Sequence, residues 1–322
     1  MSKSPKRVNS GIRHGIGEWY GHDIMSLSAD KRKELANYAK SSTNSFKYKC
    51  KFRPDKYCNK KGGVCTIRPY TSSPSYTSSY DVAIPLSGDD GQLISVCPNR
   101  FYEGRLVFKH ASEVVMKQQT FTQVTEVGFL EGEAEEGDEK GGDVGRIDMV
   151  LVGERTSEDA PLNWLALEIQ AVYFSGKEMG VEFDPYISNN SDELIFPQGK
   201  RRPDFRSSGP KRLMPQLQIK VPTLRRWGKK MVVVVDRPFF NSLGEMDRVS
   251  DISNGDIVWI IVRFEKDVET GLTIQVDEVR TTTLERAVEG LTGGKPIPLS
   301  DFDSRISEKI VREIKSGTLG TI

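Results

Sequence analysis

The sequence predicts an α/β fold, a mixed central sheet flanked by helices, with a small metal-stapled module at the N-terminal end. Three observations lead there. Segments 145–152 and 164–170 alternate polar and apolar residues with a period of two, the pattern of half-buried strands. Segments 231–235 and 257–262 are short continuous apolar runs, the pattern of buried strands, while 211–228 carries Met214, Leu217, Val221 and Leu224 on one helical stripe. Four cysteines, Cys50, Cys58, Cys65 and Cys97, precede all of these segments.

The elements follow in order. Residues 11–25 mix aromatics and glycines and read as a lead-in that packs on the main body. Ser28 is an N-cap residue type, with Asp30 in the first turn, for a helix through about Lys40. Residues 44–100 are rich in Lys, Ser, Tyr, Gly and Pro and hold few long apolar runs. Such a stretch is not expected to build its own core, so a metal would substitute for one. Residues 101–118 predict a helix with Phe101, Leu106, Phe108, Val114 and Val115 as core positions, and 120–130 a strand. Residues 131–143 hold seven acidic residues, one lysine and four glycines, the composition of a solvated loop. After the paired strands, 174–210 is loop-rich. Pro222 predicts a kink or an early stop in the 211–228 helix, because it lacks an N–H and its ring clashes with the preceding turn. A strand over 272–279, a helix over 282–291 and a last helix after Leu299 complete the order, which is that of a layered α/β protein.

The 322 residues allow one to three domains, with a division expected between a cysteine module over 1–100 and a core over 101–322. Met1 to Ser10 is polar and basic, without the apolar stretch of a secretory signal, and the longest apolar runs are far too short to span a bilayer. The expected setting is the cytoplasm, with no membrane partner. The net charge of +1 is close to balance, but it hides a strong local asymmetry.

Two carboxylates stand inside the period-two strands. Asp148 lies in the first, and Glu168 and Gln170 in the second. A turn-like segment at 157–161 lies midway, so an antiparallel hairpin centred near Glu158 sets Asp148 opposite Glu168. Opposed Cβ atoms lie about 4.5–5.5 Å apart, where two carboxylates repel and a divalent cation relieves them. Glu168 and Gln170 share a face, and Leu165, Leu167 and Ile169 take the other. Mg prefers such hard oxygen ligands, helped here by the carbonyl of Ile169, and promotes phosphodiester hydrolysis by neutralising charge and activating water. Gln170 can hydrogen-bond that water but cannot take its proton. The competing explanation is that both carboxylates face solvent on an exposed sheet.

The cysteines are separated by seven, six and thirty-one residues, without the C-x-x-C pairs of a regular zinc ribbon. Four thiolates nevertheless suit tetrahedral zinc or iron, against the alternative of four unrelated reduced thiols. From Lys200 to Lys230 there are eleven Lys or Arg residues and one Asp, a density that suits either a polyanion or a solvated surface. Lys200, Arg201, Arg202, Arg206, Lys211 and Arg212 are the candidate DNA contacts, and arginines among them can also reach guanine edges. Trp227 is expected in the core. His14, His22 and His110 lack ligand spacing and read as packing or surface residues.

Several strings agree with one family. Gly15-Ile16-Gly17-Glu18-Trp19-Tyr20-Gly21-His22, Gly63-Val64-Cys65, Cys97-Pro98-Asn99-Arg100 and the run from Leu167-Glu168-Ile169-Gln170 to Phe174-Ser175-Gly176 resemble the NotI-type restriction endonucleases. Segment 256–262 resembles that family's late core strand. The resemblance implies a type II restriction enzyme with a PD-(D/E)xK nuclease core, acting as a homodimer on a GC-rich palindrome in double-stranded DNA, with Mg. It assigns Asp148 and Glu168 to the metal-binding carboxylates and Gln170 to the position where most of the superfamily has lysine. It assigns Cys50, Cys58, Cys65 and Cys97 to a structural iron site, tipping the metal from zinc toward iron. Other classes remain open: a metal-stabilised DNA-binding protein without catalysis, and a structure-specific repair nuclease of the same superfamily.

Overall fold

The computed structural model describes residues 11–41, 48–132, 142–155, 157–176, 179–189, 191–267, 271–293 and 297–316. Most of the acidic segment 131–143 lies outside the described residues. The chain opens with β1 (Arg13–Trp19), β2 (His22–Asp23) and α1 (Ala29–Lys40). A small ribbon follows, β3 (Lys49–Cys50) and β4 (Arg53–Tyr57), then β5 (Val64–Ser73), β6 (Val82–Pro85) and β7 (Ile94–Ser95). An irregular helical stretch contains α2 (Leu106–Ala111) and leads to β8 (Phe121–Glu131), β9 (Asp143–Gly153) and β10 (Trp164–Ile169). Next come β11 (Tyr173–Ser175), α3 (Gly180–Ser188), β12 (Arg202–Asp204), α4 (Phe205–Ser208) and α5 (Met214–Arg226). The chain ends through β13 (Met231–Asp236), α6 (Arg237–Asn241), β14 (Ile257–Asp267), β15 (Gly271–Thr282), α7 (Leu284–Thr292) and α8 (Leu299–Lys315).

Six strands form the central sheet in the order β15-β14-β13-β10-β9-β8. β10, β13 and β14 run parallel, and β8, β9 and β15 join antiparallel, so the sheet is mixed as its sequence predicts. The parallel strands β13 and β14 need apolar residues on both faces, hence their unbroken Val and Ile runs. One face, with Ala166, Val233 and Trp259, packs on Leu217, Val221 and Leu224 of α5 and on Ala287 and Leu291 of α7. The other, with Leu165, Leu167, Val232 and Ile260, packs on Phe101, Val107 and Phe108.

The irregular stretch corrects the expectation of one helix over 101–118. It is a 3-10 segment from Pro98 to Arg105, then α2, then a π turn from Ser112 to Met116. Gly104 at φ +55 and Arg105 at φ +56 break the helical register. Phe101 and Phe108 are nevertheless core residues, with Leu106, Val114 and Val115 at its margin.

The N-terminal region departs most from expectation. Residues 13–19 are not a lead-in but a strand, β1, which pairs with β5 in a second sheet of order β2-β1-β5-β6, with β7 also on β5. The first seven residues of β5 are buried, so this region does contribute a core, joining Ile16, Trp19, Val64 and Ile67 to the central one. Two of the family-like strings meet in that core: Arg100 Nε donates to Glu18 Oε2 at 2.7 Å, with both side chains inaccessible to water. A buried pair of this kind loses several kcal/mol when one partner is removed, because the other charge is stranded. Gly63, at φ +67, lies against the Tyr20 ring, and its carbonyl accepts from the Tyr20 N–H at 2.7 Å. A Cβ there would strike the ring, so the position requires glycine.

α1 begins where expected, with the Ser28 hydroxyl accepting from the Lys31 N–H. The 174–210 stretch is less irregular than its composition implies, since α3 packs against α1. Pro222 does not stop α5, which continues to Arg226 and ends at Gly228, a residue at φ +66. Trp227 corrects its prediction: it is 48% exposed and lies edge-on to Trp164.

Candidate active site

The hairpin that carries the two carboxylates has the register that turn position implies. Trp164 pairs with Val152, Leu165 with Leu151, Ala166 with Val150 and Leu167 with Met149. One further step sets Asp148 beside Glu168. Alternation sends Leu165 and Leu167 to the α2 side of the sheet and Ala166 and Glu168 to the α5 side. The Gln170 N–H extends the parallel ladder by donating to the Val234 carbonyl at 3.0 Å, which fixes the backbone past Glu168.

Glu168 is only 5% exposed, while the Asp148 side chain is half exposed. Burial, helped by contact with the Asp148 carboxylate and partly offset by Lys220, pushes the Glu168 carboxyl up to about 8. The two acids therefore face each other. Their mutual effect is what a hard dication would relieve, so the donor set fits Mg.

Helix α5 supplies what sequence reasoning missed. The Lys220 ammonium donates to Glu168 Oε2 at 2.8 Å and lies 3.4 Å from Asp148 Oδ1. Lys220 is 6% exposed. One turn earlier, Gln216 turns its amide nitrogen toward Glu168 Oε1 at 2.7 Å, since the reverse orientation would set oxygen against oxygen. The available signal was position: Lys220 falls on the buried stripe between Leu217 and Leu224, where an unpaired lysine would be costly.

Gln170 is 6% exposed, and its amide nitrogen donates to the Ala171 carbonyl at 2.5 Å. A cavity of about 410 Å³ opens over Glu168 and Gln170 and is walled by Lys60, Tyr173, Lys211 and Arg212. The Arg212 guanidinium stacks on the Tyr173 ring, 3.7 Å from its centre. A second cavity, about 740 Å³, takes Lys200, Arg201 and Arg202 together with Arg13 and His14. Lys200, Arg202, Arg206, Lys211 and Arg212 are exposed. Arg201 differs from the other basic candidates: its buried guanidinium donates to Glu182 Oε1 at 2.6 Å.

Cys50, Cys65 and Cys97 share one buried cluster with Phe52, while half-buried Cys58 packs against the central core. Burial raises the Cys58, Cys65 and Cys97 thiols, and the neighbouring thiols raise them further. Among the described residues, however, no group of three or more His, Cys, Asp or Glu side chains is arranged to hold a metal. The metal staple expected of this module is thus not a feature of the described geometry.

No helix among the described residues is long and apolar enough to cross a membrane. No curated protein matches the chain. The sequence profile described as "Restriction endonuclease NotI" matches residues 32–274. That span includes both carboxylate strands, α5 and all four cysteines, and on this evidence the chain belongs to the NotI restriction endonuclease family, whose members are type II site-specific deoxyribonucleases.

Proposed function

We infer that the chain hydrolyses double-stranded DNA with Mg at a GC-rich palindromic site, as a homodimer acting in the cytoplasm. The observation that carries this is the facing pair Asp148 and Glu168 on adjacent strands, with Glu168 lining a cavity walled by cationic side chains. Family membership supplies the DNA substrate and the site-specific cleavage. The GC-rich palindrome rests on the resemblance of the sequence strings, and a two-fold site calls for a two-fold dimer.

Asp148 and Glu168 would hold the cation, with the Ile169 carbonyl as a third oxygen. When bound, Mg neutralises phosphoryl charge and makes a water nucleophilic near neutral pH. Lys60, Lys211 and Arg212 hold phosphate oxygens at the cavity wall, and Lys200, Arg202 and Arg206 extend the same charge along the backbone of the duplex. Gln170, its amide nitrogen committed to Ala171, offers its oxygen to orient the attacking water. Residues 1–100 form the module in which the four thiols are brought near one another, and residues 101–322 the nuclease core. We keep iron as the metal of the thiol cluster, with zinc as the alternative. The clustering of Cys50, Cys65 and Cys97 supports a thiolate site of either metal, and the resemblance of the sequence strings is what tips the choice toward iron.

Digestion of a sequenced plasmid tests the reading. Wild-type protein is expected to give discrete Mg-dependent fragments. Glu168→Ala should lose cleavage by a factor on the order of 10²–10³ or more while retaining the DNA gel shift. Cutting by Glu168→Ala at the wild-type rate would refute the assignment, and tight binding with an intact plasmid from the wild type would leave only a DNA-binding protein.

A further inference from the structure

Two residues after Glu168, just past β10, stands Gln170, which carries no charge. The geometry points to Lys220, on α5, as the side chain that supplies the positive charge of this active site and fixes both carboxylates from the helix side. The inference rests on the nuclease reading above.

Four observations converge on it. Lys220 is almost fully buried, an unusual state for lysine that requires a nearby anion. Its ammonium reaches both acids at once, 2.8 Å from Glu168 Oε2 and 3.4 Å from Asp148 Oδ1. It sits on a rigid support, since Leu217, Val221 and Leu224 of the same helix are locked into the core. Gln216 completes the grip, with its amide nitrogen 2.7 Å from Glu168 Oε1. Gln170 is directed elsewhere, toward Ala171.

Charge at this point has a chemical use. Cleavage of a phosphodiester builds negative charge on the phosphoryl oxygens, and a fixed ammonium beside the carboxylate floor stabilises it without reorganisation. Lys220 also keeps two acids at contact distance without forcing them apart, so their oxygens stay aimed at one place. An ammonium delivered by a packed helix replaces one delivered by a strand, and the site keeps its charge although glutamine follows the strand. The positioning part of the role predicts that arginine, with its bulkier planar head, substitutes only in part.

The test compares Lys220→Met, Lys220→Arg, Gln170→Ala and Glu168→Ala in single-turnover plasmid cleavage. Duplex binding is measured alongside in Ca²⁺, with the thermal upshift of the DNA-free protein on adding Mg²⁺. Lys220→Met is expected to cut about 100-fold more slowly or worse. Its KM and its Ca²⁺-supported binding should stay within about threefold of wild type and its upshift should persist, because the carboxylates remain. Lys220→Arg should recover about tenfold of the lost rate, and Gln170→Ala should lose less than Lys220→Met. Where Lys220→Met does not fold, Lys220→Gln takes its place in the comparison. The inference is overturned by Lys220→Met cutting within threefold of wild type, or by slow cutting accompanied by loss of the upshift or of binding, which reduces Lys220 to a packing residue. Cleavage by Glu168→Ala would instead remove the nuclease reading itself, whatever Lys220 does.

Discussion

Glu168 carries a carboxylate that water hardly touches. Burial alone would neutralise it, and the Lys220 ammonium opposes that by offering the ionised form a partner. Both carboxylates were legible in the sequence, because an acid inside an apolar period-two strand is conspicuous. Lys220 was not, although it lies on the helical stripe that was identified, since a lysine among apolar neighbours reads by default as a residue whose head group reaches solvent. The burial of Arg201 was not legible either. Its neighbours in the basic segment are exposed, and only the fold brings Glu182 of α3 to it. Cys58 offers a test at the same scale. It is the least buried of the four thiols and the most accessible to exchange. Cys58→Ser is expected to lower the bound iron or zinc of the purified protein by more than half, with carboxylate-dependent cleavage kept in the fraction that remains soluble. Elemental analysis reads the outcome, and metal content equal to wild type would remove the four-thiolate proposal.

The β9–β10 hairpin was readable down to its register because one signal, the turn midway between the strands, fixes every pair at once. β13 and β14 were equally legible, as buried parallel strands leave continuous apolar runs. β1 and β5 were hidden among glycines, aromatics and polar residues, and their pairing joins residues far apart in sequence. α5 passes through Pro222 because the helix is held by its packed stripe rather than by every backbone hydrogen bond. At the end of β13, Asp236 links three elements. It accepts from the Phe239 N–H at 2.8 Å, capping α6, and from the Ser95 N–H of β7 at 2.6 Å. Burial pushes its carboxyl up to about 7 against those two donors. Its pKa in the fold thus lies above that of the unfolded chain. The associated stability is present below about pH 4 and is lost as pH rises through about 7, by something on the order of 2–4 kcal/mol. Asp236→Asn should flatten the decline of the melting temperature between pH 5 and 8. It should also cost about 1–3 kcal/mol at pH 5, where an amide meets two backbone donors. Parallel melting curves for the two proteins would contradict this account of Asp236.

Across the whole molecule, one six-stranded sheet separates two apolar cores, and the carboxylate pair opens on the α5 side of it. The N-terminal sheet is sewn to that frame close to the site. The Val172 N–H donates to the Ser95 carbonyl at 2.8 Å, and Ser95 in turn donates to Asp236. Lys60 and Val96 from the N-terminal region therefore help to wall the cavity over Glu168. The cavity is a joint construction, because its lining is drawn from the N-terminal region, from β10 and from the segment that leads into α5. On the proposed function, Asp148 and Glu168 together hold one divalent cation. Titration of the DNA-free protein with Mn²⁺, followed by electron paramagnetic resonance, measures it without reference to cleavage. The expected result is one Mn²⁺ site per chain in the wild type that disappears in both Asp148→Asn and Glu168→Gln and is competed by Mg²⁺. Undiminished Mn²⁺ binding in either variant would contradict the claim.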